Sequence, residues 1–142
     1  MAINSRFAVG VHILALLEIQ KEGRLTSELI AGSVNTNPVV VRRIMSMLSK
    51  AGLVRTSPGV AGATLARPVH AITLLDVYKA VRDDDNDALF AIHDKPNPAC
   101  LVGRNIQTAL DKSFQQAQTA MEQELGRVTL DSVVFDIVQQ DV

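Results

Sequence analysis

The sequence predicts a mainly α-helical fold with one small β-hairpin, and three patterns support this. Apolar residues recur at helical spacing along most of the chain, two Asn-Pro pairs mark helix starts, and one Pro-Gly turn separates two short extended segments. With 142 residues, 47% of them hydrophobic, the chain can bury the core of one compact domain and add an extension. We expect a domain at residues 1–81, a connector at 82–96 and a helical extension at 97–142.

The first half of residues 26–67 reads as a short helix followed by a turn. Thr26 is a suitable helix cap, and Leu29 and Ile30 are expected to face inward. A polar turn is expected to begin at Gly32. Asn37 then provides a second cap, directly before a proline at the first helical position, where the missing N–H has no cost.

The second helix of this stretch has two distinct faces. Its apolar face consists of Val41, Ile44, Met45 and Leu48. The opposite face carries Arg42, Arg43 and Ser46. The helix is expected to end at Gly52, after which segments 53–57 and 63–67 flank a turn at 58–62. This order predicts a winged helix-turn-helix, whose second helix fits the major groove of DNA.

The helices on either side of this motif are predicted from apolar spacing. Residues 3–21 form a helix that is apolar round most of its circumference, so we expect it to be covered on more than one side. Within it, His12 is interpreted as a hydrogen-bonded packing residue rather than a metal ligand. After the wing, a threonine-capped helix is expected to reach Val81.

An acidic run follows at residues 82–87. Asp83, Asp85 and Asp87 alternate as at the start of a calcium loop, but Ala88 stands where the sharp turn needs glycine. We therefore interpret the run as a solvated acidic connector.

A long helix is predicted from Asn97 to Gly126, because an apolar stripe recurs there at intervals of three and four residues. The stripe consists of Ile106, Leu110, Phe114, Ala117, Met121 and Leu125. A helix of about 27 residues is about 40 Å long, more than one small domain can cover. The stripe therefore predicts a homodimer; the alternative is packing against its own domain. A last short helix is expected at residues 129–135.

Charge is divided unevenly between the two halves of the chain. Residues 1–67 contain eight basic and three acidic side chains, whereas residues 68–142 contain six basic and twelve acidic ones. The net charge of −1 hides this asymmetry, which is typical of a DNA-facing half joined to a half that stays off the phosphates.

Several function classes are not supported by the sequence. It contains no long apolar run, no secretory signal pattern, one cysteine, and no phosphate-loop, nucleophile-elbow or zinc-protease motif. We therefore expect a cytoplasmic protein with no membrane contact and no enzymatic activity.

The chain resembles the Rrf2 family of bacterial transcriptional regulators over nearly its full length. The resemblance is carried by residues 5–9, 12–14, 49–54, 65–68 and 72–77, in this order and at this spacing. It implies a dimeric repressor or activator that binds a palindromic operator through its winged domain and dimerises through the long helix. Members often respond to iron, nitric oxide, redox state or cysteine supply.

The predicted DNA contacts combine the residue pattern with this resemblance. Arg42 matches the base-reading position of the family, and Arg43 is expected to reach phosphate or a base edge. The full predicted set is Ser5, Arg6, Thr26, Ser27, Asn37, Val39, Val40, Arg42, Arg43, Arg55, Ser57 and Gly59. The alternative is a regulator that acts mainly through protein contact and binds DNA weakly.

Two departures from the family pattern matter. Pro58 stands where many family wings carry arginine, which removes the expected minor-groove contact. An iron–sulfur cluster needs about four strong ligands, and Cys100 is the only cysteine, so no cofactor is expected. Cys100, placed in the first turn of the long helix, is interpreted either as a redox sensor with a lowered thiol pKa or as a small packing residue. Besides DNA and a second copy, a small-molecule or protein effector remains open.

Overall fold

The structure is a computed structural model that describes residues 1–21, 25–84, 87–91 and 93–141, with the side chains of residues 60 and 61 outside the description. Its helices are α1 (Ile3–Ile19), α2 (Ser27–Val34), α3 (Pro38–Lys50), α4 (Leu74–Val81), α5 (Leu101–Arg127) and α6 (Leu130–Gln140). The strands β1 (Val54–Ser57) and β2 (Val60–Leu65) form an antiparallel hairpin, and a short 3-10 helix (Val69–Ala71) precedes α4. The predicted mainly α fold with a hairpin wing is confirmed. None of the described helices is long and apolar enough to cross a membrane.

Local capping explains where α2, α3 and α4 begin. The Thr26 hydroxyl accepts from the Leu29 N–H at 3.2 Å, and the Asn37 side chain accepts from the Val40 N–H at 3.0 Å. At α4, Thr73 and Asp76 form a reciprocal capping box. The three cap interactions explain why these helix starts could be predicted from sequence.

The end of α3 is closed by a Schellman motif. Gly52 has a φ of +76°, its N–H donates to the Ser49 carbonyl, and the Leu53 N–H donates to the Leu48 carbonyl at 3.0 Å. Leu53 is fully buried, so this turn also fixes the point at which β1 leaves the core.

The turn of the wing is shorter, and its strand pairing more irregular, than the sequence suggested. Ser57 pairs with Val60 across a turn that consists only of Pro58 and Gly59, with a φ of +73° at Gly59. A bulge follows between Thr56 and Ser57, so that the second strand begins at residue 60 rather than 63.

One core joins the winged domain to the start of α6. It contains the fully buried side chains Ile13, Leu14, Ile30, Val41, Ile44, Leu48, Leu53, Ile72, Val77, Val81 and Leu130. Helix α1 contacts α2, α3, β2, α4 and α6, so several elements cover it, as its apolar circumference predicted. His12 lies on its exposed side and hydrogen-bonds the Ser33 hydroxyl at 2.8 Å.

Five local predictions were wrong, two in α2, two in α5 and one in α6. Leu29 is 58% exposed, because α2 continues through Gly32 to Val34 and turns only Ile30 and Ala31 inward. Helix α5 begins at Leu101 rather than Asn97, since Asn97 closes a tight turn with its side chain on the Ala99 N–H and its carbonyl on the Cys100 N–H. It also continues past Gly126 to Arg127, and α6 extends to Gln140.

The acidic connector is not simply solvated. Asp87 forms an ion pair with Arg6 and also accepts from the Asp83 N–H, and its side chain is only 9% exposed. The Arg6 Nε donates to the Val81 carbonyl at 3.0 Å. The contacts of Arg6 therefore connect residue 87 of the connector to α1 and to the end of α4. Asp85, part of the calcium-loop comparison, lies outside the described residues.

Candidate nucleic-acid interface

The outer face of α3 is the centre of the candidate interface. Its inner face buries Val41, Ile44 and Leu48 completely or almost completely, which forces the remaining positions outward. The exposed residues of this helix are Val39, Arg42, Arg43, Ser46, Ser49 and Lys50. The resulting face is polar and basic, and Val39 is its single large apolar side chain, 66% exposed.

The start of α2 and the wing border this face. Thr26 and Ser27 are half-buried at the start of α2, and Arg55, Ser57 and Gly59 are exposed along the wing. Asn37 is exposed at the start of α3, with its side-chain oxygen engaged by the Val40 N–H. The Asn37 side-chain amide N–H groups are therefore the part of this side chain that can reach a phosphate.

A groove separates α3 from the wing. Its volume is about 430 Å³, and its lining residues are Leu25, Ser27, Ile30, Arg42, Met45, Ser46, Ser49, Lys50, Thr56 and Gly62. Two of the predicted DNA-contacting residues, Ser27 and Arg42, lie together in this lining. The other hydrophilic lining residues, Ser46, Ser49, Lys50 and Thr56, are outside the predicted contact set. Intervals of four, seven and eight residues from Arg42 place the first three on one helical face.

One acidic residue lies against this basic surface. A Glu28 carboxylate oxygen on α2 is 3.6 Å from a guanidinium nitrogen of Arg42. The two side chains are 69% and 56% exposed, so the pair is solvent-screened and free to exchange partners. Glu28 was not singled out from the sequence, because the residues are fourteen positions apart on different helices.

Three members of the predicted DNA-contact set need separate comment. Arg6 is directed inward, with its guanidinium engaged by Val81, Met1 and Asp87. Val40 packs against the core, so its side chain is turned partly away from the outer face of α3. Ser5 is exposed, but on α1 rather than on the elements that line the groove. Arg24, counted in the basic half, lies outside the described residues.

Cys100 occupies the N-cap of α5 and is exposed. Hydrogen bonds from the backbone N–H groups of Gly103 and Val102 lower the pKa of the Cys100 thiol. Because this side chain is exposed, the interpretation of Cys100 as a packing residue has no support within a single chain. Its role as a redox sensor stays a prediction.

The predicted dimer stripe lies along α5. Ile106, Leu110, Phe114, Met121 and Leu125 are half-buried, and Ala117 is exposed. Phe114 stacks on Phe90 with ring centroids 4.7 Å apart, so the chain itself covers part of the stripe. None of the 27 residues of α5 is fully buried within the chain.

This geometry defines a class of protein: a winged helix-turn-helix with a basic, outward-facing second helix. Residues 3–136 match the model of the Rrf2 family, described as an iron-dependent transcriptional regulator. The chain therefore belongs to the Rrf2 family of transcriptional regulators. The residues that carried the resemblance in the sequence thus identified the family correctly.

Individual relatives agree with this assignment. YwnA of Bacillus subtilis (strain 168), provisionally named an HTH-type transcriptional regulator, is 49% identical over 132 residues, covering 93% of this chain and 96% of YwnA. A crystal structure described provisionally as a DNA-binding protein is 44% identical with a TM-score of 0.74, covering 90% of this chain and 97% of that one. CymR of Staphylococcus aureus shares the fold at 19% identity and a TM-score of 0.64, covering 91% of this chain and 94% of CymR.

The donor groups that the structure describes do not fit the iron of the family description. The sequence has one cysteine, and the described residues contain no group of three or more histidine, cysteine or acidic side chains able to hold a metal ion. Gly103, one helical turn beyond Cys100, has no room for a ligand side chain, because an added Cβ would overlap the Asn97 carbonyl.

Proposed function

We propose that this protein is a sequence-specific DNA-binding repressor that acts in the cytoplasm as a homodimer on a palindromic operator. The observation that carries the proposal is the outer face of α3, where Arg42, Arg43 and Lys50 are exposed between the start of α2 and the wing. Arginine on such a face can donate two hydrogen bonds to one guanine in the major groove. The similarity to one protein provisionally described as a helix-turn-helix transcriptional regulator and to another provisionally described as DNA-binding supports the same assignment.

The division of labour within the interface follows from position. Arg42 is expected to read a base edge, because it matches the base-reading position of the family, and Arg43 to contact phosphate; both side chains are exposed on α3. The start of α2 and the Asn37 amide are expected to hold the backbone on the opposite side. Arg55 and Ser57 are expected to meet phosphate from the wing.

Dimerisation is supported by the long, incompletely covered helix α5. Its 27 residues extend about 40 Å, and a symmetry-related copy would cover the stripe that the chain leaves half-buried. Two recognition helices would then lie about 34 Å apart, one turn of DNA.

The test is selection of binding sites from a pool of random duplexes, followed by anisotropy titration of the selected and unselected duplexes. The proposal predicts an inverted repeat with half-sites about 10 base pairs apart and at least a hundredfold preference over random DNA at physiological salt. No enrichment, together with weak binding to every duplex even at low salt, would favour the alternative of a regulator acting through protein contact.

The signal is proposed to act at Cys100 or through a small ligand. An exposed thiol with a lowered pKa is more readily oxidised to sulfenic acid, and its position at the start of α5 would connect that change to the dimer helix. Operator binding before and after peroxide treatment, with Cys100→Ser as control, distinguishes the two. Release of the wild type alone supports the thiol, and equal binding in all samples leaves a ligand or protein effector.

A further inference from the structure

We propose that residues 87–90 of the connector form a strap that fixes the angle between α5 and the winged domain, and thereby the spacing of half-sites that the protein accepts. One end of the strap is the ion pair of Asp87 with Arg6 on α1. The other end is the stack of Phe90 on Phe114 of α5. These side chains act by position and not by contact with DNA. The part of the proposal that concerns DNA rests on the proposed function.

Helix α5 is attached to the winged domain at its C-terminal end. The Leu74 N–H donates to the Val128 carbonyl at 2.9 Å, and the Leu130 N–H donates to the Ile72 carbonyl at 2.8 Å. The Leu130 side chain is fully buried in the core. These contacts fix one end of α5. Contacts at one end alone leave the direction of a helix about 40 Å long poorly determined.

The packing of α5 against α4 leaves part of this freedom. An open groove of about 540 Å³ lies between the two helices, and its lining includes Lys79 of α4 and Thr119 and Gln123 of α5, all of them exposed. Helix α5 also buries none of its 27 residues fully. Because interdigitated side chains are what give a pair of helices a defined crossing angle, a further attachment is needed to set the direction of α5.

The end of the strap on the winged domain is firmly held. The Arg6 guanidinium donates to the Val81 and Met1 carbonyls at 3.0 and 2.7 Å. It also forms the ion pair with Asp87, and the two side chains are only 11% and 9% exposed, so salt screens this pair weakly. The Asp87 carboxylate also accepts from the Asp83 N–H at 2.7 Å, which fixes its direction.

The other end of the strap lies near the middle of α5. The rings of Phe90 and Phe114 stack with their centroids 4.7 Å apart and their planes 19° apart. Phe114 precedes Val128 by fourteen residues, so the stack is about 21 Å along the helix from the attached end. Only three residues separate Asp87 from Phe90, and three residues span at most about 11 Å. The strap therefore has little slack, and it holds α5 at a second point far from the first.

The direction of α5 matters because α5 is also the proposed dimer helix. In such a dimer, the angle between α5 and the winged domain sets the separation of the two recognition helices. Two binding modules joined rigidly bind a site of matching span most tightly, whereas a looser connection lowers that affinity and tolerates other spans. We therefore expect the strap to give the protein a narrow choice of half-site spacing.

The experiment releases each end of the strap separately. Asp87→Asn leaves the Arg6 charge without its anion. Its matched control is Asp84→Asn, which removes the same charge from the same connector at a side chain that is 88% exposed. Phe90→Ala removes the stack, and its control is Leu89→Ala, at a neighbouring apolar residue of similar exposure, 38% against 42%. Phe90→Tyr keeps a ring that can stack and should behave like wild type.

Each variant is titrated against the selected operator, against operators with two base pairs inserted or deleted between the half-sites, and against a single half-site. Asp87→Asn and Phe90→Ala should each bind the selected operator about tenfold more weakly and discriminate against altered spacing about tenfold less than wild type. Their affinity for a single half-site should not change. The double variant should be no worse than either single variant, because the two ends act in series.

A second measurement needs no DNA. Spin labels are attached at Gln20→Cys, at the end of α1, and at Lys112→Cys on α5, both exposed positions, in a Cys100→Ser background. The labelled chain is diluted with unlabelled protein, so that double electron–electron resonance reports the distance within one chain. The distance distribution should broaden in Asp87→Asn and Phe90→Ala and stay as narrow as wild type in the control variants.

Three results would overturn the proposal. Unchanged distance distributions in both strap variants would show that the strap does not set the angle of α5. Broader distributions with a wild-type spacing profile would refute its role in the choice of half-site spacing. Weaker binding to a single half-site, or additive losses in the double variant, would indicate general damage to the winged domain. A wild type that selects no operator refutes the proposed function instead, and the distance distributions then still decide whether the strap fixes α5.

Discussion

The winged domain and helix α5 differ in how completely they bury their apolar side chains. The winged domain places its apolar face inside one continuous core, where residues such as Ile13, Ile44 and Leu48 have 0–1% of their surface exposed. Helix α5 is longer than any other described helix and yet has no fully buried residue. The first region is complete within one chain, whereas the second leaves its apolar stripe incompletely covered, and this difference is what supports the proposed dimer.

The largest expected effect is in the core of the winged domain. Leu48→Ala removes a fully buried side chain from α3 and should lower the free energy of unfolding by about 2–5 kcal/mol. Leu101→Ala, at a position 68% exposed at the start of α5, is the matched control and should change stability very little. Urea titration followed by circular dichroism measures both, and equal losses would contradict the comparison.

The second effect is on assembly. Leu110→Glu would bury an unpaired charge between the two α5 helices of the proposed dimer and should convert dimer to monomer at micromolar concentration. Gln115→Glu introduces the same charge at an exposed position off the stripe and should leave the dimer intact. Sedimentation velocity decides the matter. A monomeric wild type would remove the basis for this prediction.

The third effect separates the two arginines of α3. Arg42→Ala should lower the preference for the operator over a single-base variant by about 1–3 kcal/mol, because a bidentate contact to guanine is lost. Arg43→Ala should weaken binding to all sequences alike, with little change in preference. The check is anisotropy titration on duplexes that vary one base pair at a time, and a wild-type base preference for Arg42→Ala would refute its assignment.

A smaller effect is expected at Glu28. In the free protein its carboxylate pairs with Arg42, and it would compete with DNA for this side chain in the proposed complex. Glu28→Gln should therefore tighten binding to random duplex by at most about fivefold, the range of an exposed ion pair. The operator should gain no more than the random duplex, so that the specificity ratio falls or stays constant. Weaker binding to both duplexes would show that Glu28 instead holds Arg42 in a productive position.

The smallest effect concerns the Cys100 thiol. The N–H groups of Gly103 and Val102 stabilise the thiolate, so the pKa is lowered and the anion forms at a lower pH than in a free cysteine. The rate of alkylation by iodoacetamide should therefore reach its plateau at lower pH than in an unfolded sample of the same chain. Coincident pH profiles for folded and unfolded samples would contradict this.

Elements defined by neighbouring residues were predicted accurately from sequence. The caps at Thr26, Asn37 and Thr73 and the glycine turn at Gly52 use hydrogen bonds within a few residues, so the pattern and the structure contain the same information. The periodic apolar face of α3 was predictable for a related reason, because a helix with one strongly apolar side has one way to bury it.

Predictions failed where the same local signals permit two structures. Asn97 with Pro98 can start a helix or close a turn, and here the turn forms, which moves the start of α5 to Leu101. The acidic run was expected to remain in water, but Asp87 pairs with Arg6 across a sequence separation of 81 residues. The spacing of residue types along the sequence cannot predict an ion pair between residues so far apart.

By itself the sequence determined the order of helix, turn, helix and wing, the basic outer face of α3 and the membership of the Rrf2 family, because each depends on residue type and short-range spacing. Only the tertiary structure decided that Ser46, Ser49, Lys50 and Thr56 line one groove, that Glu28 faces Arg42, and that Arg6 is directed inward. These arrangements join elements that are distant along the chain. They depend on how α1, α2 and the wing pack on α3, which the sequence of a single element does not predict.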